Sequence, residues 1–112
     1  MKILVVEDDP GVQALLQTLL RRDHQVFVAS GVPDAKKRIE EEGPFDVIFL
    51  DNNLSPGNGA EVVEFLSGSE VKIISLAGTP EPPLWQHDFH LGKGWENASV
   101  YDALAAVAPS PP

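Results

Sequence analysis

Two short apolar runs, each broken at its C-terminal end by carboxylates, constrain this chain more than any other feature. Ile3-Leu4-Val5-Val6 runs into Glu7-Asp8-Asp9-Pro10, and Val47-Ile48-Phe49-Leu50 runs into Asp51-Asn52-Asn53. Runs of this length bounded by turn residues read as strands buried on both faces, as in a parallel sheet covered by helices. In such sheets ligands gather outside the carboxyl ends of the strands, where the strand order reverses. Glu7, Asp8 and Asp51 brought together there would repel one another by about 4 kcal/mol per pair at roughly 4 Å and an effective dielectric near 20. The pattern predicts an acidic site that needs a cation.

Strand and helix patterns alternate along the rest of the chain. Val12, Leu15, Leu16, Leu19 and Leu20 recur at helical spacing, with Asp9 placed to cap that helix and Pro10 at its first position. Arg21 and Arg22 sit at its C-terminal end, where the helix dipole favours cations. Val26 to Ala29 reads as a second strand, and Ser30 to Glu42 as a second helix with Val32, Ala35 and Ile39 inward, ended by Gly43-Pro44. The third strand spans Asp46 to Leu50. A turn-rich loop from Asn52 to Gly59 then leads to a short helix carrying Val62, Val63, Phe65 and Leu66. Val71 to Leu76 reads as a fourth strand and Phe89 to Leu91 as a short fifth. Asn97 is expected to cap a last helix whose inward face is Val100, Tyr101, Leu104 and Val107. The alternation predicts a doubly wound α/β domain.

With 112 residues, 43% of them hydrophobic, the chain suits one domain with a real core, assigned to residues 1–108. The Pro/Ser stretch at 109–112 has linker composition, and three readings stay open: a natural terminus, a stub of a further domain, or a cut end. Eight basic against seventeen acidic residues, a net charge of −9, argue against binding of nucleic acid by this chain alone and against attraction to anionic membrane. The absence of cysteine excludes disulfides and thiolate metal sites and fits a reducing cytoplasm. Met1-Lys2-Ile3 leaves no room for a signal peptide, and no apolar run approaches the roughly 20 residues needed to span a bilayer. The expectation is a cytoplasmic protein.

With its elements placed, the chain resembles the receiver domains of the two-component response regulator family. Lys2 to Pro10 is similar to that family's first strand and acidic pair, and Phe45 to Asp51 to the strand that delivers its phosphoacceptor. Gly59, eight residues after Asp51, falls where the family keeps a glycine. The resemblance implies a flavodoxin-like five-stranded parallel sheet in the order 2-1-3-4-5, with Asp8 and Asp51 meeting at the switch point between the first and third strands. It implies that Asp51 accepts a phosphoryl group from a histidine kinase or phosphotransfer protein and that signalling proceeds by contact with an output protein or domain. Mg²⁺, a cation that takes hard oxygen ligands, would be held by Asp8, Asp51 and the Asn53 carbonyl, with Glu7 acting through water, and Lys93 would contact the phosphoryl oxygens.

Departures from the family pattern concentrate in the last third. Ala77 stands where the family has a Thr or Ser hydroxyl that bonds the phosphoryl group; Thr79 is offset by two residues. Lys93 is followed by Gly94 instead of proline, and His90 takes the place of an aromatic switch residue, with an edge-strand surface histidine as the plainer reading. Only sixteen positions separate Ala77 from Lys93, and they are rich in proline, so the helix between the fourth and fifth strands is expected to be reduced or absent. Trp85 and Trp95 are candidates to cover the core that this exposes, or to form a partner site. In Leu54-Ser55-Pro56-Gly57 the proline falls one place late, and Gly59 restores the register.

Three functions remain open. The first is a receiver phosphorylated at Asp51, which receives phosphoryl groups and is not a dedicated enzyme. The second is a receiver-like interaction module that binds metal at most and does not switch. The third, a metal-dependent phosphohydrolase with an aspartate nucleophile, would want a second carboxylate where Asn53 stands.

Overall fold

The computed structural model describes residues 1–54, 57–77, 81–92 and 94–108. Lys93, Thr79, the Ser55-Pro56 pair and the tail at 109–112 lie outside them. The elements follow one another as β1 (Lys2–Val6), α1 (Pro10–Leu20), β2 (Gln25–Ala29), α2 (Val32–Glu42), β3 (Val47–Asp51), α3 (Gly59–Phe65), β4 (Lys72–Leu76), β5 (Phe89–Leu91) and α4 (Asn97–Val107). The strands form one parallel sheet in the order β2-β1-β3-β4-β5, the flavodoxin-like arrangement.

Alternation along the two central strands divides the core into two layers. Ile3 and Val5 of β1 and Val47 and Phe49 of β3 pack with Leu16 and Leu20 of α1 and with Val100, Ala103, Leu104 and Val107 of α4. Leu4 and Val6, with Ile48 and Leu50, face the other way onto Val32 and Ala35 of α2 and onto Val62 and Leu66. Ile3 to Val6 and Ile48 to Leu50 are wholly inaccessible to solvent, which is why these strands are apolar at every position and not at alternate ones. Each such side chain contributes about 1.5–3 kcal/mol of burial, so these two strands anchor the fold.

Helix termini follow local chemistry. The Asp9 carboxylate accepts from Gly11 N (2.8 Å) and Val12 N (3.4 Å), with Pro10 at the first helical position. At α3 Asn58 accepts from Ala60 N and its own N–H donates to Glu61, a reciprocal cap carried by the spacing Asn-x-x-Glu. Some expectations need correction. Asn97 is the first residue of α4 and Glu96 its cap, whose N–H donates to Ser99 Oγ at 3.1 Å. Tyr101 is 48% exposed and sends its hydroxyl to the Leu19 carbonyl, while Ala103 takes the inward position. Leu15 and Phe65 are also exposed, because apolar positions recur around more of each helix than the sheet can cover.

The described residues between β4 and β5, 81–88, contain no helix. They are tied to β4 at Asp88, whose N–H donates to Ile73 O (2.7 Å) and whose carboxylate accepts from Ile73 N (2.8 Å). The two tryptophans go to opposite layers: Trp85 packs against the layer formed by α2 and α3, Trp95 against the layer formed by α1 and α4.

Candidate acidic site at the carboxyl ends of the strands

Strand register brings the carboxylates together. Val6 lies opposite Leu50 in the β1–β3 pair, so Glu7 and Asp51, each one residue further on, emerge side by side. Asp51 lies opposite Leu76 in the β3–β4 pair. One carboxylate oxygen from each of Glu7, Asp8 and Asp51 falls within 4.8 Å of the others. They open into a cleft of about 470 Å³ that is also lined by Asp9, Val12, Asn53, Leu76, Ala77, Gly94 and Trp95.

Two of the three carboxylates are removed from water: Glu7 is 5% exposed and Asp51 8%, while Asp8 is exposed. Burial pushes the Glu7 carboxyl up to about 8; the Asp9 N–H, donating to it at 3.1 Å, opposes the rise, and the neighbouring Asp51 charge adds to it. Burial also raises Asp51, against the pull of the Asn53 N–H at 3.1 Å, and the charge of Asp8 raises it further. Glu7 and Asp51 both favour their protonated forms more than isolated carboxyls do, because burial and neighbouring negative charge penalise ionisation here.

A divalent cation fits among these converging carboxylates. All the donors are hard oxygens, they converge, and one of the three residues stays open to water, as suits an ion that keeps part of its hydration shell. Asn53 lines the same cleft, placing its backbone beside the cluster.

The raised Glu7 carboxyl has a consequence for stability. Between its ordinary value of 4.5 and about 8, folded Glu7 keeps a proton that the unfolded chain releases. Stability without divalent cations is therefore expected to fall as pH rises through that window. Melting in EDTA at pH 5 and at pH 8 checks this, and a melting temperature lower at pH 8 by roughly 5 °C or more is the expected result. Equal stability at both values would show that the carboxylates are already compensated by something else.

The downstream half of the site follows the expected departures. None of the described residues lining the cleft carries a hydroxyl, and Ala77 contributes only a methyl group beside Leu76. Gly94 has φ +83°, in the left-handed region, whereas proline is held near −65°. The glycine is required by this turn and is not a loose stand-in. His90 sits on β5 with Nδ1 2.5 Å from the buried Ser75 hydroxyl, and its Nε2 is buried with no hydrogen-bond partner among the described residues. It is thus half-buried and engaged with β4, not a surface histidine. Lys93 lies outside the described residues, although its neighbour Gly94 lines the cleft. Asn52 carries no local signal in the sequence for its part in this structure: its side chain accepts from Trp85 Nε1 at 2.6 Å, across 33 positions.

A family model described as the response regulator receiver domain matches residues 3–92. No curated protein matches the sequence significantly. Among solved structures, a CheY-like receiver domain from Methylobacillus flagellatus is 23% identical with a TM-score of 0.82, covering 96% of this chain and 98% of that one. The receiver domain of a sensor histidine kinase from Pseudomonas aeruginosa PAO1, with a magnesium ion coordinated in its active site cleft, is 21% identical with a TM-score of 0.80, covering 96% and 98%. A response regulator protein from Thermotoga maritima in complex with Mg²⁺ and BeF is 24% identical with a TM-score of 0.81, covering 95% and 97%. At these identities the likeness is one of fold. No helix among the described residues is long and apolar enough to cross a membrane.

Proposed function

The chain belongs to the response regulator receiver domain family, and from that premise we propose that Asp51 is its phosphoacceptor. The observation that carries this is the placement of Asp51: it ends the central strand, is almost buried, and opens into a cleft between two further carboxylates. The donor would be a histidine kinase or phosphotransfer protein. An Asp51 carboxylate oxygen forms the new P–O bond as the P–N bond of the donor phosphohistidine breaks, the electron pair staying with the imidazole nitrogen.

Glu7, Asp8, Asp51 and the Asn53 carbonyl are the residues that would hold Mg²⁺, a reading supported by the presence of magnesium in the Pseudomonas receiver's active site cleft and in the Thermotoga complex. When bound, the ion neutralises the carboxylates and the incoming phosphoryl oxygens, so that two anions can meet. The Asn53 N–H donates to one Asp51 oxygen and orients the carboxylate. Burial on the β3 side restricts approach to the mouth of the cleft. Lys93, by its place in the family pattern, would contact the phosphoryl oxygens. The role is that of a signalling domain that passes information on to an output protein or domain, not of a dedicated enzyme.

A second reading has its own support. Ala77 brings no hydroxyl to the cleft, and residues 81–88 contain no helix, so a module that binds the cation without switching also fits. Intact mass after incubation with acetyl phosphate and Mg²⁺ separates the two. Addition of one phosphoryl group to the parent and none to Asp51→Asn supports the phosphoacceptor. No addition to a folded parent that still binds Mg²⁺ supports the second reading instead.

A further inference from the structure

Asn52 lies between two residues of the cleft, Asp51 and Asn53, but does not line it. Among the described residues, hydrogen bonds to Leu76, Gly59 and Trp85 hold it. Its N–H donates to Leu76 O at 3.3 Å, its carbonyl accepts from Gly59 N at 3.4 Å, and its side-chain oxygen accepts from Trp85 Nε1 at 2.6 Å. The two backbone bonds are long for N–H···O contacts, whereas the indole bond is short. The best-made restraint on Asn52 therefore comes from outside the β3–α3 connection.

The indole ring adds packing to that bond. A Cβ built on Gly59 would stand 3.0 Å from Trp85 Cε2 and Cζ2 and 3.0 Å from the Asp51 carbonyl oxygen. Glycine at this position lets the indole and the Asp51 backbone close on the same point, where a Cβ would require a neighbour to give by a few tenths of an ångström. Trp85 thus reaches the β3–α3 connection at both ends: Asn52, just after β3, by hydrogen bond, and Gly59, at the start of α3, by close packing of the indole. It does so from 81–88, the segment without a helix.

We infer that Trp85 is a positioning residue for the acidic site: by holding Asn52 it sets the backbone of Asp51 and Asn53 in the geometry that binds a divalent cation. The inference rests on the metal-binding reading of Glu7, Asp8, Asp51 and Asn53. Partners that orient metal ligands without touching the ion typically change its affinity by 10- to 100-fold when removed. Because the bond links only Trp85 and Asn52, loss of either partner removes the same restraint.

Isothermal titration of the whole chain with MgCl₂ alone tests this, using Trp85→Phe, Asn52→Leu and the double variant, with Asp51→Asn as the non-binding control. Each single substitution is expected to weaken Mg²⁺ binding by roughly tenfold, and the double by no more than either alone. The metal-free melting temperature serves as the second readout, and it should move far less than the affinity. Binding by Trp85→Phe within twofold of the parent, or losses that multiply in the double variant, would overturn the inference and leave the acidic site standing. If Trp85→Phe does not fold, Asn52→Leu removes the same bond and decides alone. A parent that takes up no Mg²⁺ would overturn the reading of the site itself, and the inference with it.

Discussion

Asp51→Asn is expected to lose every trace of phosphoryl uptake and yet to melt at a higher temperature than the parent in magnesium-free buffer at pH 8. The two effects share one cause. Asp51 is buried beside Glu7 and Asp8, and burial together with the charge of Asp8 raises its carboxyl above the ordinary value. Ionising it inside the fold costs energy that the unfolded chain does not spend. An asparagine keeps an oxygen that can accept from Asn53 N–H and removes one of three converging charges. A stabilisation of about 1–2 kcal/mol, or roughly 4–10 °C, follows. Mg²⁺ should then raise the melting point of the parent and leave that of the variant unchanged, since the parent alone keeps the full set of oxygen donors. Differential scanning calorimetry with EDTA or MgCl₂ checks both halves. A variant less stable than the parent in EDTA would show that Asp51 is compensated within the fold.

The largest loss of stability is expected from Phe49→Ala. Phe49 is fully buried in β3, opposite Val5 on one side and Ile74 on the other, and it belongs to the layer that packs on α1 and α4. Truncation removes the ring and leaves a cavity that these parallel strands cannot close, at a cost of about 3–5 kcal/mol. Against a total stability of about 5–15 kcal/mol for a domain, that lowers the melting temperature by roughly 10–20 °C. Urea denaturation gives the same quantity as a shifted midpoint with an unchanged slope. Leu84→Ala is the contrast: Leu84 is fully exposed in the segment before Trp85, and its truncation should shift the midpoint by less than about 0.5 kcal/mol. Similar midpoints for Phe49→Ala and the parent would mean that the core can repack around the hole.

The parts of this molecule legible from sequence were those set by short-range chemistry or by unbroken burial. Ile3 to Val6 and Val47 to Leu50 announce central strands because both faces are covered, and Asp9-Pro10 announces a helix start because cap and first turn are contiguous. The acidic trio was legible for the same reason, Glu7 and Asp51 being the first polar residues where a buried apolar run ends and Asp8 following Glu7 directly. Periodicity misled where a helix is apolar on more than one stripe. Tyr101 and Leu15 satisfy the helical spacing, yet the sheet beneath is too narrow to cover them. The Trp85–Asn52 bond and the Ser75–His90 pair could not be read at all, since both join elements far apart in the chain through side-chain geometry alone. Gly94 could be recognised as unusual, but its positive φ shows why proline is excluded there.

Because every strand pair in this sheet is parallel, no two neighbours can be joined by a tight turn. The pair that matters most, β1 with β3, joins Ile3 to Val47 across α1, β2 and α2. During folding the chain must close that long loop before Glu7 and Asp51 are neighbours at all, and loop closure of this kind delays the contacts that reward it. The unfolded chain consequently offers no ready-made chelate. A cation bound at this site would act on the finished domain, and the stability it adds is expected to appear as slower unfolding rather than faster folding.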